Sequence, residues 1–344
     1  MSQANTTLWR KTSNQLYLFR IGLMIALLIL AVIAGLVLGA LAIDITKPLS
    51  QLETAVITQI RAPRVIMTLL TGAGLAVCGL VLQAICRNPL ADPGLIGVSS
   101  GAAFFASLAI LLNSWWQLPG SVQVFFIPAM AFFGAALFLL LLLVIASYQG
   151  SISTLVLILT GVALDFGGRT LLSLVTYFAD ENTLRQITFW QMGSYSGIGW
   201  DHVGLTSLVI LVALPIFFRR AGQLTLLQIG EQHAWFSGVE VSKLKYLLLV
   251  LVAAVTAVSV CFTGIIGFVG LVVPHICRLL VGNHIAILLP ASAICGAALV
   301  TLADVVARLV IAPAELPIGL ITSAIGVPFF LWLVMREKRK FSHA

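Results

Sequence analysis

Repeated apolar runs, each long enough to cross a lipid bilayer, decide what this chain can fold into. A transmembrane helix needs about 20 mostly apolar residues in a row, and the bilayer core offers backbone N–H and C=O groups no water to bond. About ten such runs occur, near residues 21–42, 63–85, 94–112, 124–146, 154–178, 202–218, 245–264, 266–281, 286–304 and 316–335. Only 9% of the residues are charged, where a soluble domain carries about 25%. The expectation is an all-α polytopic membrane protein, with residues 1–344 forming a single transmembrane domain. The first run, Ile21–Ala42, exceeds the apolar core of a signal peptide, about 7–15 residues, and reads as a retained helix.

Charge sets the orientation. With both termini on the cytoplasmic side, inside segments hold thirteen of the nineteen Lys and Arg. Lys47, Arg61, Arg64, Arg185 and Arg308 fall outside, and Arg169 falls within a span. This bias assigns the net charge of +7 to topology rather than to nucleic-acid binding. Cys78, Cys86, Cys261, Cys277 and Cys295 lie in or beside apolar runs with no C-x-x-C pair. That predicts buried free thiols, with no disulfide or zinc framework.

Several local patterns stand out. In RAPRVIMTLLTGAG, residues 61–74, Arg61 and Arg64 stand at the outward mouth of the second run. Arginine there opposes the charge bias, and a helix N-terminus is already positive. Gly72, Ala76 and Gly79 in the same run permit close approach by a neighbouring helix. RNPLADPGLIGVSSGAA, residues 87–103, reads as a tight inward turn. Asp92 can cap the next helix with Pro93 in its first position, and Gly94, Gly97 and Gly101 favour close packing. Asp165 and Arg169 stand four apart inside the fifth run, where they can pair. Ionisable residues at that depth are costly and are functional candidates by default. They either line a pathway or form a self-neutralised structural bridge.

RAPR at 61–64, Gln83, the 87–103 turn, GFVGLVVPHICRLLVGNH at 267–284, ADVVARL at 303–309 and ELPIGLITSAIGVPFFLWL at 315–333 follow in a telling order. Over nearly its whole length the chain resembles bacterial ABC-importer permeases of the FecCD type, which carry haem, ferric siderophores or vitamin B12. The resemblance implies the type II importer permease fold: ten helices per subunit and two permease subunits, here expected to be identical, around a pore. Two cytoplasmic ABC ATPase subunits and a periplasmic substrate-binding protein complete the assembly. The location implied is the bacterial cytoplasmic (inner) membrane, with the chain multi-pass. No G-x-x-x-x-G-K-[ST] occurs, so ATP and Mg are expected on the partner ATPase. The chain itself is expected to be no enzyme and to hold no cofactor or metal.

Residue roles follow from the resemblance. Arg61, Arg64 and Arg308 match positions that pair with carboxylates of the binding protein, a task suited to the planar guanidinium; the competing reading is anchoring of helix ends at the headgroups. The cytoplasmic segment 219–244 matches the ATPase-coupling region, with Gly230, Glu231, Ala234 and Gly238 on its pattern. Its competing reading is an amphipathic helix lying on the membrane. An inner gate is expected where the Asn88–Leu90 turn meets Ser153 and Thr154, and Asp165 and Arg169 are placed on the pathway.

Residues 176–197, TYFADENTLRQITFWQMGSYSG, resemble the haem-importing branch, with overlap into the vitamin B12 permeases. His233, His275, His284 and His343 fall at or inside the inner edge and His202 near the outer edge. None sits mid-membrane to ligate a haem iron. Tyr177 and Tyr195 are either substrate contacts or interface anchors. The favoured function is haem import driven by a partner ATPase, with a ferric siderophore or vitamin B12 as alternative cargo. An ion-coupled secondary transporter would need Asp165 to titrate, and an intramembrane enzyme would need a His/Glu or Ser/His set that the spans lack.

Overall fold

The computed structural model describes residues 3–39, 41, 48, 50–116, 119–148 and 150–341, so Lys47 lies outside the described residues. In chain order the elements are α1 (Gln3–Val37), α2 (Gln51–Ala55), a π-helical stretch (Val56–Arg61), α3 (Ala62–Cys86), a 3-10 turn (Pro93–Ile96), α4 (Val98–Trp116) and α5 (Gly120–Ala146). A two-residue hairpin ladder, β1 (Ser147–Tyr148) with β2 (Ser151–Ile152), leads to α6 (Thr154–Tyr177), α7 (Glu181–Met192) and α8 (Trp200–Arg219). Then come α9 (Ala221–Ile229), α10 (Glu231–Phe236), α11 (Val241–Thr263), α12 (Val269–Val281), α13 (Ile285–Leu309) and α14 (Ile318–Phe341). Among the described residues, 9 helices are long and apolar enough to cross a membrane.

The tenth expected crossing, 266–281, is built differently. Only Val269–Val281 is helical, 13 residues, which at 1.5 Å per residue is about 20 Å and too short to span alone. The remaining depth is covered by residues 264–268, which link α11 to α12 as non-helical backbone. Gly264 (φ 69°) and Phe268 (φ 67°) hold left-handed backbone at its two ends. The Phe268 ring lies over Gly326 of α14, and Gly270 meets Gly79 of α3. Non-helical backbone at this depth is tolerated only where protein or a wet cavity surrounds it. Four residues of the stretch, Ile265–Phe268, do line a cavity.

The second span also differs from the expectation. Its helix does not begin near Pro63. It starts at Gln51 and continues through the π-helical stretch to Cys86. Ser50 caps the start: its Oγ accepts from Glu53 N at 3.2 Å, and Glu53 Oε2 accepts from Ser50 N at 2.8 Å. Arg61 therefore sits in mid-helix, away from a helix N-terminus.

This second span is the central post of the bundle: over its most apolar 18 residues 83% are buried, against 22% for the same length of α6 and 17% for that of α14. Lipid provides no hydrophobic drive between helices, so backbone approach decides the packing. Gly72 and Ala76 of α3 face Gly296 of α13, and Gly79 faces Gly270 of α12. A Cβ at Gly72, Gly79 or Gly296 would meet opposing backbone, which accounts for all three small residues noted in the second run. At the 87–103 turn, Asp92 Oδ1 accepts from Gly94 N at 2.8 Å as expected. The helix it caps is only the 3-10 turn, which ends at Gly97 (φ 77°) before α4 starts. The 179–201 loop holds an element that its polarity concealed: α7, capped by Asp180, whose carboxylate accepts from Thr183 N at 2.9 Å.

Candidate functional site

Three clusters of polar side chains lie along the bundle. The first, at the end carrying Arg64, answers why arginines stand there. α1 ends at Val37 with carbonyls unpaired, as every helix C-terminus does. Arg61 Nη1 donates to Leu36 O at 3.0 Å and also to Val37 O, and its Nη2 donates to Leu41 O. Arg308 adds Nη2 to Gly35 O at 3.1 Å and Nη1 to Leu38 O at 3.2 Å. Two guanidinium groups thus cap one helix at its negative dipole end, where cations are favourable.

Arg64 completes the frame. Its Nη2 lies 2.8 Å from Asp304 Oδ1 and its Nη1 2.8 Å from Glu315 Oε1, while Arg308 Nε lies 3.2 Å from Asp304 Oδ2. Asp304, itself buried, is shared by both arginines. The expectation that Arg61, Arg64 and Arg308 present guanidinium forks outward does not match this conformation. They are 4%, 7% and 6% exposed and engaged within the chain. The physical reason is local: the bare C-terminus of α1 and the two carboxylates are nearer partners than anything outside.

The second cluster lines a cavity of about 410 Å³ between α3, α4, α6, α11 and the 264–268 stretch. Asp165 and Arg169 both reach it and pair as anticipated, Arg169 Nε to Asp165 Oδ2 at 2.8 Å. The Arg169 side chain remains 70% exposed. Ser99, Ser100, Gln191 and Thr256 add polar groups to walls of Leu75, Leu271 and Phe330. Leu90 reaches the same cavity, and Asn88 Oδ1 accepts from Leu90 N at 2.9 Å to hold the turn. Tyr195 has no place there: it is fully buried, its hydroxyl bonded to Thr71. Tyr177 is exposed away from it.

The third cluster is at the opposite end. α10 occupies the stretch between Gly230 and Gly238 that the sequence marks as a short helix. Gly238 (φ 83°) closes it: Gly238 N donates to Trp235 O at 2.9 Å and Val239 N to Ala234 O at 3.0 Å, a Schellman motif. Ala234 and Val239 are buried beneath it, while Trp235, Phe236 and Ile229 of α9 are exposed. Glu231 Oε1 lies 2.8 Å from Lys245 Nζ, accepts from Thr154 Oγ1 at 2.9 Å and is 3.9 Å from Arg87 Nη2. Thr154 and Glu231, expected in separate gate and coupling regions, meet here. Ser153 supplies the N-cap position of α6 without a side-chain bond.

Burial alone would raise the Glu231 carboxyl. The hydrogen bond and charge of Lys245, then Thr154 and Arg87, outweigh it and hold the group below the ordinary carboxylate range. Lys245, Asp304 and Glu315 were not among the expected site residues. Lys245 reads in sequence as one more inside positive charge. Asp304 could have been found as the acid four residues before Arg308 on one helix face.

Comparison with known proteins agrees with this architecture. The FecCD transport family matches residues 26–336. The hemin transport system permease protein HmuU of Yersinia pestis is 38% identical over 284 residues, 82% of this chain and 84% of that protein. The vitamin B12 import system permease protein BtuC of Vibrio cholerae is 38% identical over 318 residues, 92% of this chain and 93% of that protein. A solved metal-chelate type ABC transporter in an inward-facing conformation superposes with a TM-score of 0.83 at 33% identity, covering 92% of this chain and 99% of that one. The apolar crossings, the central glycine-packed helix and these likenesses lead to one conclusion: the chain is a multi-pass membrane protein with the type II ABC importer permease fold, and it belongs to the FecCD transport family.

Proposed function

We propose that this chain is the haem-translocating permease of a binding-protein-dependent importer in the bacterial cytoplasmic membrane, working as a homodimer with both termini inside. The α10 end faces the cytoplasm in this reading and the Arg64 end faces the periplasm. Substrate released by the binding protein enters the cavity beside α6, and an ATPase seated on α9 and α10 drives its passage. Exposed Ile229, Trp235 and Phe236 on these short helices are suited to such a seat.

One observation carries the choice of haem: the exposed Arg169 guanidinium on the wall of the cavity. Haem bears carboxylates that a guanidinium fork can grip, whereas the periphery of vitamin B12 is largely amide. A charged group at that depth has to face a cavity or a partner, since lipid would penalise it. Vitamin B12 is the second reading, favoured by an equal identity to the Vibrio permease over a longer stretch. Against an ion-coupled carrier stands the engagement with Arg169 of Asp165, the acid within a span that such a carrier would use. The test is uptake by proteoliposomes of the complete importer offered hemin, cyanocobalamin and a ferric siderophore in turn. Hemin should accumulate first, and preferential uptake of cyanocobalamin would select the second reading.

At the periplasmic end, docking would use the arginine frame indirectly. Arg61, Arg64 and Arg308 hold the ends of α1, α3 and α13 in register, and the binding protein meets the surface they shape. Direct pairing would require its carboxylates to displace Asp304 or Glu315 from Arg64, Asp304 from Arg308, or the α1 carbonyls from Arg61.

A further inference from the structure

Lys245 is fully buried although its side chain carries a charge. An ammonium taken out of water is tolerated only when its donors are satisfied and a countercharge is near. Here Nζ has partners for all of its N–H groups: Ile152 O at 2.8 Å, Thr154 Oγ1 at 3.0 Å and Glu231 Oε1 at 2.8 Å. Thr154 closes a triangle by donating its hydroxyl to the same Glu231 oxygen at 2.9 Å. Those partners belong to separate elements. Thr154 is the first residue of α6, Glu231 the first of α10, and Ile152 ends the β2 strand.

α10 has little else to hold it to the pore wall. It is 6 residues long, with Ala234 its one buried residue, and a helix of that length has no stability of its own. Lys245 stands on α11, so moving α10 away would leave its ammonium buried without a countercharge, a far larger cost than parting two exposed groups. Moving α6 away would take Thr154 from both Lys245 and Glu231. The triangle therefore favours joint movement of the two helix starts over independent movement.

We propose that Lys245 is the positioning residue that couples α10 to α6, so that displacement of α10 by a partner is passed to the wall of the translocation cavity. This rests on the reading of α10 as the ATPase seat. The joint adds to that reading a specific link, because the contacts of α10 with a partner would otherwise end at the surface.

The test uses the complete importer in proteoliposomes, with the native cysteines replaced by serine and Leu159→Cys placed on the exposed face of α6. Thiol labelling at that site is compared between nucleotide-free and ATP-vanadate-trapped states, alongside hemin uptake per ATP hydrolysed. In the parent protein, labelling should change several-fold on trapping. With Lys245→Met, ATP hydrolysis should persist while the labelling change disappears and uptake per ATP falls at least tenfold; Lys245→Arg should restore part of both. Should Lys245→Met fail to assemble, Thr154→Val removes the two sides of the triangle that reach α6, leaves the Lys245–Glu231 pair in place so that no charge is stranded, and should weaken the labelling change. Normal switching and uptake per ATP in assembled Lys245→Met, or in Thr154→Val where the former does not assemble, would overturn the joint. Absence of any nucleotide-dependent labelling in the parent would instead overturn the ATPase-seat reading and the joint together.

Discussion

Arg64 and Asp304 meet across two central helices, Nη2 to Oδ1 at 2.8 Å, with both side chains almost wholly buried. Breaking one partner of such a pair leaves an uncompensated charge and costs about 3–5 kcal/mol. Arg64→Glu would also face Asp304 and Glu315 with a third carboxylate. Its expected effect is a large loss of thermal stability in detergent, measured on the isolated permease. Were Arg64 only a docking contact, the variant would melt with the wild type and lose binding-protein association alone.

Gly238 ends α10 in the left-handed region, at φ 83°. A Cβ there meets no other atoms, so its penalty is conformational, about 1–2 kcal/mol. Gly238→Ala should fray α10 and speed hydrogen exchange at Ala234–Val239, with little change elsewhere. Gly222→Ala, in open space within α9, provides the control and should leave exchange in α10 unaltered.

The Glu231 carboxyl titrates below its ordinary range because Lys245, Thr154 and Arg87 outweigh its burial. A depressed carboxyl stabilises fully above its unfolded value of about 4.3, and the contribution fades as pH falls through the lower folded value. Exchange protection of α10 should therefore be flat from pH 8 to about pH 5 and fall only in stronger acid. Glu231→Gln should remove that acid-dependent step and lower protection at neutral pH.

Asp165 and Arg169 can be exchanged together for neutral residues without stranding a charge. Asp165→Asn with Arg169→Gln should reduce hemin uptake at least tenfold, equivalent to about 1.4 kcal/mol. Uptake of hemin dimethyl ester, which lacks the free carboxylates, should be nearly unchanged. Equal losses for both probes would make the pair a structural bridge.

What the sequence discloses here depends on range. The apolar runs, the inward Asp92 turn, the bracket of Gly230 and Gly238 and the Asp165–Arg169 pair are each written within a few residues, and each is present. Gly72, Ala76 and Gly79 disclose a close-packing face without saying which helix meets it. Harder to see was any partner distant in the chain: Arg64 with Asp304, or Lys245 with Ile152 and Thr154. The fate of the arginines depended on where α1 ends relative to α3, and no local pattern encodes that. α7 went unnoticed because a polar 12-residue helix resembles a loop when only apolar periodicity is followed.

The central claim is that this chain provides a haem pathway whose energy comes from a nucleotide-hydrolysing partner. The most direct test is hemin accumulation in proteoliposomes holding the permease and its ATPase, with binding protein on the Arg64 side and ATP on the α10 side. Accumulation should require ATP and both partners, and a proton or sodium gradient should neither replace nor raise it. Hemin concentrated by the permease alone under such a gradient, with no nucleotide present, would contradict the account.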